Sequence, residues 1–281
     1  MCSNSGALEL RCHNKHLPRS MHLNDCHEEV TWVDSYYEAL EFFYWEPQHL
    51  GRKKHSNAEF DTAPKVRKHL RKMEVTLNQN LHQFFLLAPD SLRNELFGRL
   101  FRRTLQGYLS LEGRDVDEKF RLQNSMQPDF LFTSKAHTVA LEMKLGSKSS
   151  LTQVLKYALL GLAVELKLGS EKEHFLGFLG SGSFSDQWKE RFDSIEGLRQ
   201  ALAEVDCASF LEKQPLHFRE RAPRFAQILE SLSFCFVTYE ELAGYLLRES
   251  PLPSDVLPSA QVYRKLIEGV TGELRLRKLM P

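Results

Sequence analysis

The segment QPDFLFTSKAHTVALEMKLG, residues 127–146, contains the residues best suited to chemistry. In a β-strand over 138–145, Glu142 and Lys144 share one face, because successive side chains point to opposite sides. Asp129 opens the preceding strand candidate, and a hairpin of this length can bring its carboxylate near Glu142. Two converging carboxylates can hold a hard divalent cation such as Mg²⁺, leaving other positions to water and a phosphate. A lysine beside the cation can orient the attacking water or help to deprotonate it, and it can stabilise charge in the transition state.

Pro128–Asp129 and Glu142–Met143–Lys144 resemble the two halves of the motif of the PD-(D/E)XK nuclease superfamily. Both halves lie on adjacent strand candidates, and a helix candidate follows them. That helix carries Gln153 and Tyr157, which are four residues apart and share a face. This pair resembles the QxxxY element of the RecB-type branches. The resemblance covers roughly residues 85–248.

The resemblance implies roles for individual residues. Asp129 and Glu142 would bind the metal, Lys144 would act at the scissile phosphate, and Met143 would be a further metal contact. Glu95, on the helix that leads into the sheet, would be a third acidic metal ligand. The implied catalytic set is Asp129, Glu142, Lys144, Glu95, Gln153 and Tyr157.

The resemblance also implies an α/β, restriction-endonuclease-like fold: a mixed central β-sheet flanked by helices, with a mainly helical N-terminal extension. We expect a leader and helical extension over 1–84, a nuclease-like core over 85–248, and a proline-rich linker with a C-terminal helix over 249–281. The implied activity is hydrolysis of DNA phosphodiester bonds with Mg²⁺ or Mn²⁺, and RNA stays open as a substrate. A helicase or ATPase partner is expected if the chain serves an anti-phage or mobile-element assembly.

Plainer interpretations stay open. Glu142 and Lys144 could form a surface ion pair worth at most about 1 kcal/mol, with Asp129 as a turn residue after proline. The helix dipole favours an acid such as Glu95 in a first turn whether or not it binds metal. A nuclease fold could also be retained without catalysis, to bind nucleic acid or a partner protein, with the aromatic cluster Phe42–Trp45 as a docking surface.

Hydrophobic spacing predicts the elements that would position these residues. Strand candidates cover 116–122, 129–132, 138–145, 175–179 and 234–237. Helix candidates cover 28–43, 64–72 with an extension to 87, 90–105 ended by Gly107, 151–166, 186–204, 222–230 and 239–247, and a short terminal helix follows the linker 250–259. This order indicates a mixed sheet flanked by helices.

The charge of the chain is balanced overall but not locally. Lys+Arg and Asp+Glu both number 37, which excludes a uniformly basic coat as the basis of function, yet residues 51–110 carry a net charge of +7. The cations of this basic segment are Arg52, Lys53, Lys54, Lys65, Arg67, Lys68, Arg71, Lys72, Arg93, Arg99, Arg102 and Arg103. They could neutralise the phosphates of a nucleic acid, or they could be solvated helix faces.

Four zinc-competent side chains lie within 15 residues near the N-terminus: Cys12, His16, His22 and Cys26. They could bind a structural zinc, but a poorly ordered leader is the simpler interpretation, and Met21 could be the true start. Five scattered cysteines indicate reduced thiols, and no run reaches the ~18 apolar residues of a membrane helix. We therefore expect a cytoplasmic protein without a membrane partner, and a homo-oligomer is compatible with the sequence.

Overall fold

The computed structural model describes residues 31–45, 63–105, 107–113, 115–122, 127–190, 192–248 and 258–281. The chain separates into two compact units, Met1–Val30 and Thr31–Pro281, and every described residue belongs to the second. The expected zinc ligands Cys12, His16, His22 and Cys26 therefore lie outside the described residues, as do Arg52–Lys54 and the side chains of Phe42–Trp45.

The described part contains twelve α-helices and five β-strands. The helices are α1 (Trp32–Trp45), α2 (Ala63–Leu70), α3 (Glu74–Leu87), α4 (Asp90–Phe101), α5 (Val116–Lys119), α6 (Leu151–Leu168), α7 (Ile195–Ala203), α8 (Cys207–Glu212), α9 (Leu216–Arg219), α10 (Ala222–Ser231), α11 (Tyr239–Arg248) and α12 (Pro258–Leu276). The strands are β1 (Ser110–Leu111), β2 (Phe130–Thr133), β3 (His137–Lys144), β4 (Glu173–Gly180) and β5 (Ser233–Thr238).

The strands form one mixed sheet in the order β1-β2-β3-β4-β5. β1, β2 and β3 are antiparallel neighbours, and Phe130 of β2 lies opposite Leu141 of β3. β3, β4 and β5 are parallel, with α6 in the connection from β3 to β4. The parallel strands end at one edge, where Lys144, Gly180 and Thr238 are neighbours. The prediction of an α/β protein with a mixed sheet flanked by helices is confirmed.

Apolar side chains cover both faces of this sheet. α3, α4, α11 and α12 contribute to the core on one face, which receives Leu141 and Met143 of β3. α6 and the helices from α7 to α10 contribute to the core on the other face, which receives Ala140. Because side chains alternate along a strand, Glu142 and Lys144 point toward the α6 side.

A buried polar cluster joins α1, α12 and the turn between α2 and α3. Glu273 accepts hydrogen bonds from the Tyr37 hydroxyl and from Arg277 Nε, both at 2.6 Å, and from Arg71 Nε at 3.2 Å. Burial and the charge of Glu273 raise the pKa of Tyr37 to about 12, so its hydroxyl keeps the proton that it donates. Since a buried carboxylate needs cations and donors around it, Glu273 holds these helices together.

The first predicted strand is wrong. Residues 116–122 form α5 and the turn after it, and the edge strand is instead β1. Val116 and Phe120 are both buried against the α6 core, and the Phe120 amide donates to the Val116 carbonyl at 3.0 Å. A spacing of four suits a helical turn, whereas a short apolar run alone is compatible with either element.

The end of α4 also differs from the prediction. The helix stops at Phe101 and does not continue to Gly107. Arg102 adopts a left-handed conformation with a φ of 53°, and the Arg103 amide donates back to the Gly98 carbonyl at 2.8 Å. These two features form a helix C-cap that the apolar spacing does not reveal.

Further predictions of helix and domain boundaries also differ from the structure. A turn over 71–73 divides the helix expected over 64–87 into α2 and α3, and the helix expected from 186 begins at Ile195. The terminal helix α12 has 19 residues and contributes to the sheet core, so it is neither short nor separate. The expected boundary at 84 falls inside α3, within one compact unit. None of the described helices has the length and apolar character to cross a membrane.

Glu273→Ala is expected to lower the free energy of unfolding by roughly 3–5 kcal/mol, since removing one partner of a buried ion pair leaves Arg277 without its counter-charge. Urea unfolding at neutral pH checks this. The matched control is Glu268→Ala on the exposed face of α12, which should change stability by under about 0.5 kcal/mol. Equal stabilities of the two variants would show that the cluster does not hold the helices.

Candidate active site

The ends of β2 and β3 bring the predicted acid pair together. The register that pairs Phe130 with Leu141 places Asp129 opposite Glu142 at the next position. The Met143 amide donates a hydrogen bond to Asp129 Oδ2 at 2.7 Å, and this bond holds the Asp129 carboxylate against β3. The carboxylates therefore meet at the edge where the parallel strands end.

Glu142 is a buried carboxylate, 5% exposed, that is surrounded by donors. Lys144 Nζ lies 2.5 Å from Glu142 Oε1, to which Gln153 Nε2 also donates, and the Tyr157 hydroxyl donates to Oε2. Gln153 and Tyr157 lie one turn apart on α6, so one helix face serves the carboxylate. Burial and the charge of Glu142 raise the pKa of Tyr157 well above its ordinary value, so the hydroxyl stays a donor.

Asp129 lies in surroundings that resist its ionisation. Burial, followed by the charge of Glu142, raises the pKa of Asp129 to about 7. The charge of Glu74 acts in the same direction, whereas the Met143 amide and Lys144 act against it. A cation between the carboxylates would remove this repulsion, so the site is electrostatically complementary to positive charge.

Lys144 offsets part of the negative charge. Burial acts to lower the pKa of Lys144, but the charges of Glu142, Glu74 and Asp129 outweigh burial and raise it. Lys144 is therefore a protonated ammonium group beside the carboxylates. In this state it can donate hydrogen bonds and stabilise negative charge, but it cannot accept a proton.

Two residues of this site come from α3 and belong to no sequence motif. Glu74 Oε2 accepts from the Leu145 amide at 3.1 Å, directly after Lys144. Asn78, one turn later, donates from Nδ2 to Asp129 Oδ1. Asn78 Oδ1 is buried and has no hydrogen-bond partner among the described residues. The spacing of four between Glu74 and Asn78 was a sequence signal, but it is too common in helices to identify a site.

Glu95 makes its contacts elsewhere. It lies on α4, where it forms an ion pair with Arg99 at 3.5 Å, and its charge acts on Tyr245 of α11. α4 contacts β5, whereas α3 contacts β3. The third acid whose charge acts on Asp129 and Lys144 is therefore Glu74, and not the Glu95 expected from the resemblance.

The oxygen ligands at this site suit a partly hydrated Mg²⁺ ion better than a metal ion that is coordinated by protein side chains alone. The part of the chain that the structure describes has no group of three or more His, Cys, Asp or Glu side chains that could hold a metal ion. Mg²⁺, however, is usually bound through one or two carboxylates and keeps several waters, so Asp129 and Glu142 match its needs. Asn78 Oδ1 is one further oxygen of a suitable type. The Met143 side chain is buried in the apolar core, so its thioether does not face this site.

Comparison with known proteins adds no relative. No protein-family model, curated protein or solved structure matches the chain. Interpretation of the site therefore depends on its geometry and on the residues of the motif.

Asp129→Asn is expected to stabilise the metal-free protein at alkaline pH. A carboxyl whose pKa is raised on folding from 3.8 to about 7 favours the folded state when protonated, and this contribution is lost as the pH rises through that window. Removing the charge should add about 1–3 kcal/mol at pH 8 and little at pH 4. The unpaired Asn78 Oδ1 can accept from the new amide once the Asn78 side chain turns.

The measurement is urea unfolding in EDTA at several pH values between these limits. Asp193→Asn, at an exposed aspartate, is the control and should shift stability equally little at all pH values. A variant of Asp129 that is less stable than the wild type at pH 8 would contradict the electrostatic account of the site.

Proposed function

We propose that the chain is a metal-dependent nuclease that hydrolyses phosphodiester bonds of DNA. The observation that carries this proposal is the meeting of two carboxylates, Asp129 and Glu142, and one ammonium group, Lys144, at the carboxyl edge of the parallel strands. In open α/β sheets this edge is the usual place for a ligand. The similarity of these residues to the PD-(D/E)XK motif supports the same function.

Each side chain has a task that its surroundings allow. Asp129 and Glu142 would hold Mg²⁺ or Mn²⁺ through carboxylate oxygens, with Asn78 Oδ1 beside them. The bound cation would supply a more acidic water and neutralise charge on the phosphate. Lys144 is held protonated at the carboxylates and would donate to a phosphate oxygen.

The side chains of α6 and α3 would position these groups. Gln153 and Tyr157 keep the Glu142 carboxylate oriented, and Asn78 does the same for Asp129. Glu74 fixes the main chain just after Lys144 through the Leu145 amide. A site held in this way needs little rearrangement when a substrate arrives.

A second candidate function is a non-catalytic module that binds nucleic acid or a protein partner. The observation in its favour is that three donors already surround Glu142, so that this carboxylate is satisfied without a metal ion. Metal-dependent cleavage by the purified protein separates the two functions.

Lys144→Ala is expected to slow cleavage by about 10²–10⁴-fold, the usual contribution of a positioned catalytic group, with DNA binding nearly unchanged. Cleavage of plasmid and linear DNA is measured with Mg²⁺, with Mn²⁺ and with EDTA, and binding is measured on the same preparation. Lys148→Ala, at an exposed lysine after β3, is the control and should cleave normally. Equal losses of binding and cleavage would make Lys144 a binding residue, and a wild type inactive with both metals would favour the non-catalytic module.

Glu74→Gln is expected to lower kcat/KM by about 10–100-fold, the range found for groups that orient metal ligands, whereas Glu95→Gln should change it by less than about twofold. The physical reason is that the charge of Glu74, and not the Arg99-paired charge of Glu95, acts on Asp129 and Lys144. Titration of activity against Mg²⁺ concentration should also show weaker metal binding for the Glu74 variant. A larger effect at Glu95 would restore it as the third ligand.

A further inference from the structure

A basic cavity lies beside the end of β3. Its volume is about 700 Å³, and its walls come from α2 with the following turn, from the turn after α12, and from Leu145, the residue after Lys144. The cationic residues that line it are Arg67, Lys68, Arg71, Lys72, Arg277 and Lys278. None of the described residues that line the cavity is acidic, so the lining favours a negatively charged occupant.

Two of these cations have a structural task. Arg71 and Arg277 bind the buried Glu273, and this fixes the wall that they form. Lys68, Lys72 and Lys278 are exposed and make no ion pair with any described residue. Like charges gathered around one concave surface repel one another, so an anion placed among these three lysines would stabilise the arrangement.

The shape of the cavity narrows the choice of anion. A volume near 700 Å³ lies within the range of about 300–1,000 Å³ of pockets that enclose a small ligand. An unpaired strand can place phosphates and sugars inside a cavity of this volume, whereas a double helix is too wide to enter it. Leu145, Leu276 and Leu279 give the cavity an apolar side, and no aromatic residue lies among its described lining residues. Contacts would therefore go to the sugar-phosphate backbone, without selection of bases.

We infer that this basic cavity binds the phosphate backbone of single-stranded nucleic acid beside the end of β3, the strand that carries Glu142 and Lys144. This inference rests on the proposed nuclease function, since it assigns a binding surface for the substrate of that site. Lys68, Lys72 and Lys278 contact phosphates, and Leu145, the residue after Lys144, forms part of the cavity wall. The strand is thus held by α2 and the turn after it and by the end of α12, outside the segment that resembles the nuclease motif.

The test compares the full-length wild type with the variant Lys68→Ala/Lys72→Ala/Lys278→Ala in EDTA. Binding of a labelled single-stranded DNA of about 12 nucleotides is followed by fluorescence anisotropy at several salt concentrations. Each phosphate contact on single-stranded DNA contributes about −0.7 to the slope of log K against log[salt], so the slope should become shallower by about 2. A duplex of the same sequence should bind more weakly and respond less to the substitutions.

The matched control Lys135→Ala/Lys213→Ala/Arg221→Ala removes three exposed cations elsewhere and should leave the slope unchanged. Lys72→Glu alone is a second variant, which should weaken single-strand binding even if the triple variant is poorly folded. An unchanged slope in the triple variant, equal binding of duplex and single strand, or no binding by the wild type would overturn the inference.

Cleavage with Mg²⁺ is measured in parallel, so that the two proposals fail separately. A wild type that cleaves DNA, together with a triple variant of unchanged slope, would remove the cavity and leave the nuclease proposal intact. A wild type that binds single strands through the three lysines but never cleaves would keep the cavity and remove the nuclease.

Discussion

A carboxylate buried between a sheet and a helix must be surrounded by donors and cations, and the arrangement around Glu142 follows from this constraint. Lys144 comes from the same strand face, whereas Gln153 and Tyr157 come from successive turns of α6. Their convergence fixes how α6 is rotated against β3, because a different rotation would leave a buried charge without partners, at a cost of about 1–3 kcal/mol or more. The same hydrogen bonds to Glu142 therefore determine both the position of the candidate site and the packing of α6 on the sheet.

Glu273 is a second buried carboxylate that is surrounded by donors, and it lies on the other side of the sheet. Glu273 binds Arg277, and Arg277 Nη1 donates to the Met73 carbonyl at 3.0 Å, just before the start of α3. The next residue is Glu74, whose carboxylate accepts from the Leu145 amide. A continuous set of polar contacts thus runs from the terminal helix to the end of β3. The acids of the candidate site and the wall of the basic cavity share this support.

The two ends of the parallel strands differ in how well their polar groups are paired. At the amino end, Glu165 receives Arg224 and His174, and these hydrogen bonds outweigh burial and lower the pKa of Glu165 to about 2. At the carboxyl end, burial and the charge of Glu142 raise the pKa of Asp129 to about 7, and Asn78 Oδ1 has no hydrogen-bond partner among the described residues. Glu165 at the amino end is therefore well supplied with hydrogen-bond donors, whereas Asp129 and Asn78 at the carboxyl end are less completely paired.

The sequence by itself determined those features that depend on local periodicity. The alternation of β3 placed Glu142 beside Lys144, and the helical spacing placed Gln153 beside Tyr157, so both pairs could be read directly. The approach of Asp129 followed from the short connection between two antiparallel strands, which leaves few registers possible.

Only the tertiary structure decided which distant elements complete the site. Glu74 and Asn78 lie beside the carboxylate pair because α3 packs against β3. Glu95 instead forms an ion pair with Arg99, because α4 packs against β5. The tertiary structure also gathered Lys278 with the lysines of α2 around one cavity. The physical reason is that local patterns fix the direction of a side chain relative to its own backbone. The packing of one helix on another depends on side chains throughout the core, so no local periodic pattern in the sequence predicts it.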